Sequence, residues 1–231
     1  MEAPKEMQKK VMISDEDKSN IDSLLAQNPE LANLRESLYD LFPAHDRLLI
    51  EVLPIGNSDM QMYQHQLLLQ GLIVRSKGLL SATLGEVLKN DKPAVTVLLR
   101  AQCETLAAAC YVERFPDKLG LVLHGTREKG AKIQAINVLT QVEQATKKHP
   151  GLLQDYDQLS ELSHPNALSH TAFVQILDKE TRKVAFSSNP GLRRGEAAKA
   201  VLMIHAWTKW FLNAAQSVHD QSNESSNRKR R

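Results

Sequence analysis

The segment from residue 93 to residue 112 constrains the fold more than any other part of this sequence. On a helical wheel at about 100° per residue, valine, leucine and alanine occupy most of the circumference, and one charged pair, Arg100 and Glu104, stands a single turn apart. A surface helix usually carries many lysines and glutamates on its outer side. The pattern therefore predicts a central helix whose Arg100–Glu104 side faces neighbouring helices.

The remaining sequence repeats the helical pattern. Hydrophobic residues make up 42% of the 231 residues and aromatic residues only 5%, so leucine and alanine, which favour helices, supply the core. We predict an all-α bundle of six or seven helices with one small β-hairpin at about 172–186, where two β-prone runs flank a polar turn. Residues 14–220 would form a single domain, between a flexible N-terminus (1–13) and a disordered basic tail (221–231).

Capping residues and prolines indicate where the helices begin and end. Ser14 with Asp17 resembles a capping box, and Asn28-Pro29 breaks the helix that it opens. Asn90-Asp-Lys-Pro93 is typical of a cap followed by the first turn of a helix. We expect helices at about residues 14–26, 30–52, 59–88, 93–114, 126–148, 152–163 and 194–218.

Charge and cysteine content limit the class of protein only broadly. The 29 basic and 27 acidic residues leave a net charge of +2, which gives no general argument for binding nucleic acid or membrane. Cys103 and Cys110 lie about 10 Å apart along one helix, too far for a disulfide. The N-terminal residues contain no apolar signal core, and Arg75 and Lys77 interrupt the longest apolar run. We predict a cytoplasmic protein with reduced, buried thiols and without a membrane span.

A second polar cluster follows about sixty residues after the first, around His164. Pro165 ends the preceding helix near His164, and a histidine there lies by the negative end of the helix dipole, which favours its protonated form. His164 is therefore a candidate general acid or base, or a phosphate ligand, and Asn166 and His170 are further polar candidates. The alternative is that His164 is a C-terminal cap on an ordinary turn.

The same cluster contains one metal-binding pattern. Glu161-x-x-His164 has the spacing found in di-iron four-helix bundles, but such a site requires two of these pairs and two further glutamates. His164 and His170 also lack the additional cysteine or histidine ligands that a zinc site needs. We therefore predict no metal and no cofactor.

Arg75 is a third charged residue in an apolar setting. Its guanidinium would reach Glu104 or an anion from a neighbouring helix; the alternative is a surface arginine whose stem covers apolar atoms. Arg75 and Arg100 are candidate anion-binding residues, and Glu104 is a candidate base beside His164. A buried structural ion pair is the more frequent explanation for residues such as Arg100 and Glu104.

Several short motifs occur in a fixed order between residues 58 and 215: Arg75 with Gly78-Leu-Leu, Val97-Leu-Leu-Arg100-Ala-Gln-Cys-Glu104, Tyr156-x-x-Leu-Ser160 and Leu162-Ser-His164-Pro. In this order they resemble an uncharacterised, mostly bacterial family of helical proteins with an Arg-x-x-x-Glu helix and a Leu-Ser-x-x-x-His segment. The resemblance implies an all-helical domain in which Arg100, Glu104 and His164 converge, and it implies no established activity.

More loosely, the layout is similar to the nucleotide-binding helical bundles of prokaryotic toxin and phage-defence systems. Many of those proteins are ribonucleases with an Arg-x4-6-His motif. This chain departs from the motif, because no arginine stands four to six residues before His164 or His170.

Two classes of function stay open. In the first, Arg100, Glu104 and His164 form a polar pocket that acts on RNA or nucleotides in defence or stress. In the second, the chain is a non-enzymatic interaction module in which these residues fix the register of the helices and the surfaces bind a partner protein. The candidate partners are RNA, a nucleotide and a second copy of the chain, with which it would form a homodimer.

Overall fold

The computed structural model describes residues 13–53, 64–124, 136–163, 174–178, 183–186, 191–193 and 195–228. Eight α-helices lie within these ranges: α1 (Asp15–Gln27), α2 (Arg35–Val52), α3 (Gln64–Leu88), α4 (Lys92–Arg114), α5 (Leu119–His124), α6 (Val138–Thr146), α7 (Leu152–Ser163) and α8 (Glu196–Arg228). Short 3-10 helices occupy Pro29–Leu34 and Pro116–Lys118. Two short strands, β1 (Val174–Asp178) and β2 (Lys183–Phe186), pair in antiparallel orientation with Val174 opposite Phe186.

The predicted all-α bundle is confirmed, although the number of helices is not. We expected six or seven, and the described residues contain eight. The additional helix is α5, which is six residues long and directly follows a 3-10 turn. A segment of this length is too short for hydrophobic periodicity to reveal it.

The central position predicted for α4 is confirmed. Thirteen of its 23 residues are buried, and α3, α6, α7 and α8 all pack against it. Three consecutive alanines, Ala107–Ala109, lie in its buried part, where small side chains let the neighbouring helices approach closely. The helix therefore forms the axis of the bundle.

Both capping predictions are confirmed. The Asp17 amide donates to Ser14 Oγ at 3.0 Å, and Ser14 Oγ donates in turn to the Asp17 carboxylate at 2.6 Å. At the start of α4, the Ala94 amide donates to Asp91 Oδ1 at 3.0 Å. These side chains satisfy amides that have no partner within the helix, which fixes where α1 and α4 begin.

The last helix is longer than predicted. We expected its end near Val218 and a disordered tail over 221–231, but α8 continues to Arg228. Side chains in this stretch donate to groups one turn earlier: Gln221 Nε2 donates to Ser217 Oγ at 3.3 Å, and Ser222 Oγ donates to the backbone carbonyl of Val218. Such local bonds support a polar helix without apolar packing. The helix therefore extends ten residues beyond its predicted end, and the predicted disorder of the tail stays a prediction; residues 229–231 lie outside the described residues.

Our expectation that no stretch approaches a membrane span is wrong on length and composition. Both α3 and α4 are long and apolar enough to cross a membrane. The core helix of a soluble protein meets the same criterion. In α4, 72% of the most apolar window is buried inside the protein, as in a core helix, whereas in α3 the share is only 39%. More than half of the most apolar window of α3 is therefore not buried.

A buried polar network joins α2, α3, α4 and α8 in the middle of the bundle. Its four side chains, those of His45, Ser76, Gln102 and Thr208, are fully buried. His45 Nδ1 lies 2.7 Å from the Leu41 carbonyl, which only accepts, so Nδ1 carries the proton and Nε2 accepts from Ser76 Oγ at 3.0 Å. Gln102 Nε2 donates to Ser76 Oγ at 2.9 Å and to Thr208 Oγ1 at 3.4 Å.

This network requires His45 to be neutral. Burial, which leaves a charged ring without hydration, lowers the pKa of His45 to about 4, and the nearby Lys77 adds to the effect. The hydrogen bonds of the network also specify how the four helices meet.

Acid should destabilise the protein in part through His45. Because its pKa falls from 6.5 to about 4 on folding, the unfolded chain binds this proton at a higher pH than the native chain does. The stability is intact above about pH 6.5 and declines as the pH falls towards 4. Urea unfolding should show that the wild type loses about 2 kcal/mol more than His45→Gln between about pH 7 and pH 4.5. An equal loss in the two proteins would contradict this assignment.

Candidate functional site

Arg75, Arg100 and Glu104 form one charged cluster on α3 and α4. Arg100 Nε lies 3.3 Å from Glu104 Oε1, and Arg75 Nη2 lies 3.7 Å from Glu104 Oε2. One carboxylate thus stands between two guanidinium groups, which leaves one net positive charge. The Arg75 guanidinium reaches Glu104 from a neighbouring helix, which was one of the two alternatives for this residue.

Helix α7 supplies the remaining contacts of Arg100. Arg100 Nη1 donates to Ser163 Oγ at 2.9 Å, and Nη2 donates to the Tyr156 hydroxyl at 3.4 Å. The guanidinium carbon lies 5.5 Å from the centre of the buried Tyr156 ring, which is a cation–π distance. Arg100 therefore connects α4 to α7, and Glu104 connects α4 to α3. The charged cluster ties three helices together.

The cluster lies at the edge of the core, where water reaches it. The side chains of Arg100 and Glu104 are 24% and 25% exposed, and that of Arg75 is 52% exposed. Arg100 and Glu104 therefore form a partly buried ion pair, and their side of α4 faces neighbouring helices. Ion pairs with this much exposure contribute about 0–1 kcal/mol each.

Three of the predicted site residues, His164, Asn166 and His170, lie outside the residues that the structure describes. The pocket that His164 would share with Arg100 stays a prediction. Ser163, which directly precedes His164 and is the last residue of α7, is within hydrogen-bonding distance of Arg100.

Sequence reasoning missed the α7 partners of Arg100. Tyr156 and Ser163 stand seven residues apart and therefore lie on the same side of α7. That spacing could have shown that the two residues share one side of α7, but it does not indicate which helix this side faces.

The two cysteines are free and buried, as predicted. Burial raises the pKa of both thiols, that of Cys110 to about 12. Because the thiolate is the nucleophilic form, neither thiol is activated for catalysis at neutral pH. Within the described residues, no group of three or more histidine, cysteine, aspartate or glutamate side chains is placed to hold a metal ion.

A second feature of the surface is the apolar outer side of α3. Leu67 is 46% exposed and Val74 is 58% exposed, with smaller exposed residues between and beyond them. The spacing of three or four residues places them on one side of the helix. We call this surface the outer α3 face; it consists of Leu67, Gly71, Val74, Gly78 and Ala82.

Packing within the described chain does not account for the glycines of the outer α3 face. A Cβ on Gly71 or Gly78 would meet no atom of the described residues within 4 Å. Glycine inside a helix costs about 1 kcal/mol relative to alanine. By contrast, a Cβ on Gly85 of the same helix would lie 3.9 Å from Asn20 Nδ2, within ordinary contact.

Charged residues border the outer α3 face on both sides. Arg75 and Glu104 form one border, and Lys77 forms the other, with its Nζ 2.6 Å from Asp46 Oδ1. Val97 of α4 is also exposed, and it stands seven residues before Glu104, on the same side of that helix. An apolar centre with a charged rim is the usual anatomy of a protein–protein interface.

Comparison of the chain with protein-family models, with curated proteins and with solved structures gives no match. The resemblances to a bacterial helical family and to toxin and defence bundles stay predictions. Function is therefore inferred from the charged cluster and the outer α3 face.

Removing the shared carboxylate should cost little stability. Glu104→Gln leaves two guanidinium groups side by side, so the free energy of unfolding should fall by about 1 kcal/mol, and by less at high salt. Glu86→Gln is the matched control, because Glu86 pairs only with the exposed Lys89 among the ion pairs of the described residues. Urea unfolding of the three proteins checks this. A loss of about 3–5 kcal/mol for Glu104→Gln would be that of a buried pair and would contradict the placement at the edge of the core.

Proposed function

We propose that the chain is a non-enzymatic interaction module in which the charged cluster fixes the helices and the outer α3 face binds another protein. The observation that carries the proposal is the apolar character of five outward positions on one helix, among which Val74 is 58% exposed. The charged groups beside it have partners within the chain: Arg100 with Tyr156 and Ser163, and Arg75 with Glu104.

Burial of this surface would supply the binding energy. Contiguous exposed apolar patches with a polar rim mark interaction sites in soluble proteins. Full burial of a leucine or valine side chain contributes roughly 1.5–3 kcal/mol. Leu67, Val74 and Val97 are about half exposed, so each retains part of that contribution for a partner.

A second candidate is the polar pocket of Arg100, Glu104 and His164 acting on RNA or nucleotides in defence or stress. It is favoured by the bond from Arg100 to Ser163, the residue before His164, and by the half-exposed Arg75. In this case the arginines bind phosphate, Glu104 orients the anion or acts as a base, and His164 transfers a proton. A cytoplasmic location belongs to both candidates and stays a prediction.

Fluorescence anisotropy with labelled single-stranded RNA and with a labelled nucleotide separates the two candidates. The interaction module predicts no binding by the wild type at physiological salt. Binding that is lost in both Arg75→Ala and His164→Ala would support the polar pocket instead.

Capture experiments test the interaction module directly. Val74→Lys places a charge in the middle of the outer α3 face, at an exposed position where it leaves the core unchanged. Leu139→Lys is the matched control, because Leu139 is an exposed leucine on a different helix, α6, which packs on α4 and α7. We expect the tagged wild type and Leu139→Lys to retain the same protein from a cell lysate and Val74→Lys to lose it. Equal recovery by all three baits would count against the proposal.

A further inference from the structure

We infer that the outer α3 face binds a second copy of the chain through antiparallel pairing of the two α3 helices. The inference rests on the proposed function, because it names the partner of that same surface. It is carried by the order of large and small residues along the face.

The spacing of the face is self-complementary. When two identical helices pair antiparallel, the sequence numbers of two residues that face each other add up to the same value at every contact. This condition is met by two pairs at once, Leu67 with Gly78 and Val74 with Gly71. One register therefore places every large side chain of either copy opposite a glycine of the other, with the two-fold axis between residues 72 and 73.

This pairing also accounts for the glycines. The space above each glycine would receive the leucine or valine of the second copy. Because glycine has no side chain, the two backbones can also approach closely. Without a partner, Gly71 and Gly78 have open space above them among the described residues. A symmetric interface of this kind uses the same patch twice, as most homodimers do.

The charges at the border are compatible with the same symmetry. The two-fold axis brings the α4 borders of the two copies together, so Arg75 of one copy meets the border that carries both Glu104 and Arg75 of the other, and the attraction to Glu104 offsets the repulsion between the two arginines. In the register above, Arg75 of one copy and Arg75 of the other lie five positions apart along the helix, which is about 8 Å at 1.5 Å per residue, and Glu104 stands beside each of them. An arginine side chain has nearly this length, and Arg75 is half exposed.

The size of the face predicts a weak dimer. Residues 67–82 span about 22 Å of helix. One helix side of this length buries less than the roughly 800 Å² per partner of a standard stable interface. Association should therefore depend on concentration rather than be permanent.

Sedimentation equilibrium of the full chain from about 10 µM to 1 mM tests the inference. We expect a reversible monomer–dimer equilibrium in the wild type. The double substitution Gly71→Leu with Gly78→Leu fills the space above both glycines and should weaken dimerisation at least about tenfold. Its monomer should unfold at the same or a higher temperature, because leucine favours the helix and no atom of the described residues lies within 4 Å of a Cβ at either position.

Gly85→Ala is the matched control. It also replaces a glycine of α3, but at a position that Asn20 covers, so the dimer should be unchanged. A wild type that stays monomeric to about 1 mM, or a dimer undiminished in the double-leucine variant, overturns the inference.

The outcomes also separate this inference from the proposed function. A monomeric wild type that still captures another protein in a Val74-dependent manner leaves the interaction module standing. Val74-dependent sedimentation of monomer with phosphatidylcholine–phosphatidylserine vesicles would show that a membrane occupies the face, and it would overturn both.

Discussion

The burial of α4 on nearly all sides is the constraint on which the rest of the structure depends. A helix of small and branched apolar residues leaves water only when several other helices surround it, and α3, α6, α7 and α8 do so here. Gln102 faces the buried polar network, while Arg100 and Glu104 of the same helix reach the edge of the core. The two polar features of α4 therefore have different environments and different energetic weights.

Polar side chains have a different role in each of these two environments. In the network, His45 and Gln102 are out of reach of water, so each bond specifies helix positions and each lost bond leaves an unsatisfied group. In the charged cluster, water screens the ion pairs, and Arg100 acts mainly by connecting α4 to α7. Helix α3 contributes Ser76 to the first and Arg75 to the second, and its side opposite Ser76 is the apolar face that we propose binds a partner.

Those features of the fold that depend on residues close together in the sequence could be predicted. The start of α1 at Ser14, the start of α4 and the bounds of α7 follow from caps, proline and periodicity over a few turns. The partners of Arg100 and the contact of His45 with Ser76 join residues far apart in the chain, and no local pattern encodes them. Periodicity also showed that α3 is widely apolar, but it does not tell which part of an apolar helix the other helices cover.

Native-state hydrogen exchange of the full chain tests the central role of α4 most directly. If α4 is the axis of the bundle, its amides from Leu99 to Val112 should exchange only through global unfolding and should be the slowest in the protein. The amides of α1, which lies at the periphery and does not pack extensively on α4, should exchange faster. Exchange of α4 as fast as that of α1 would contradict the account.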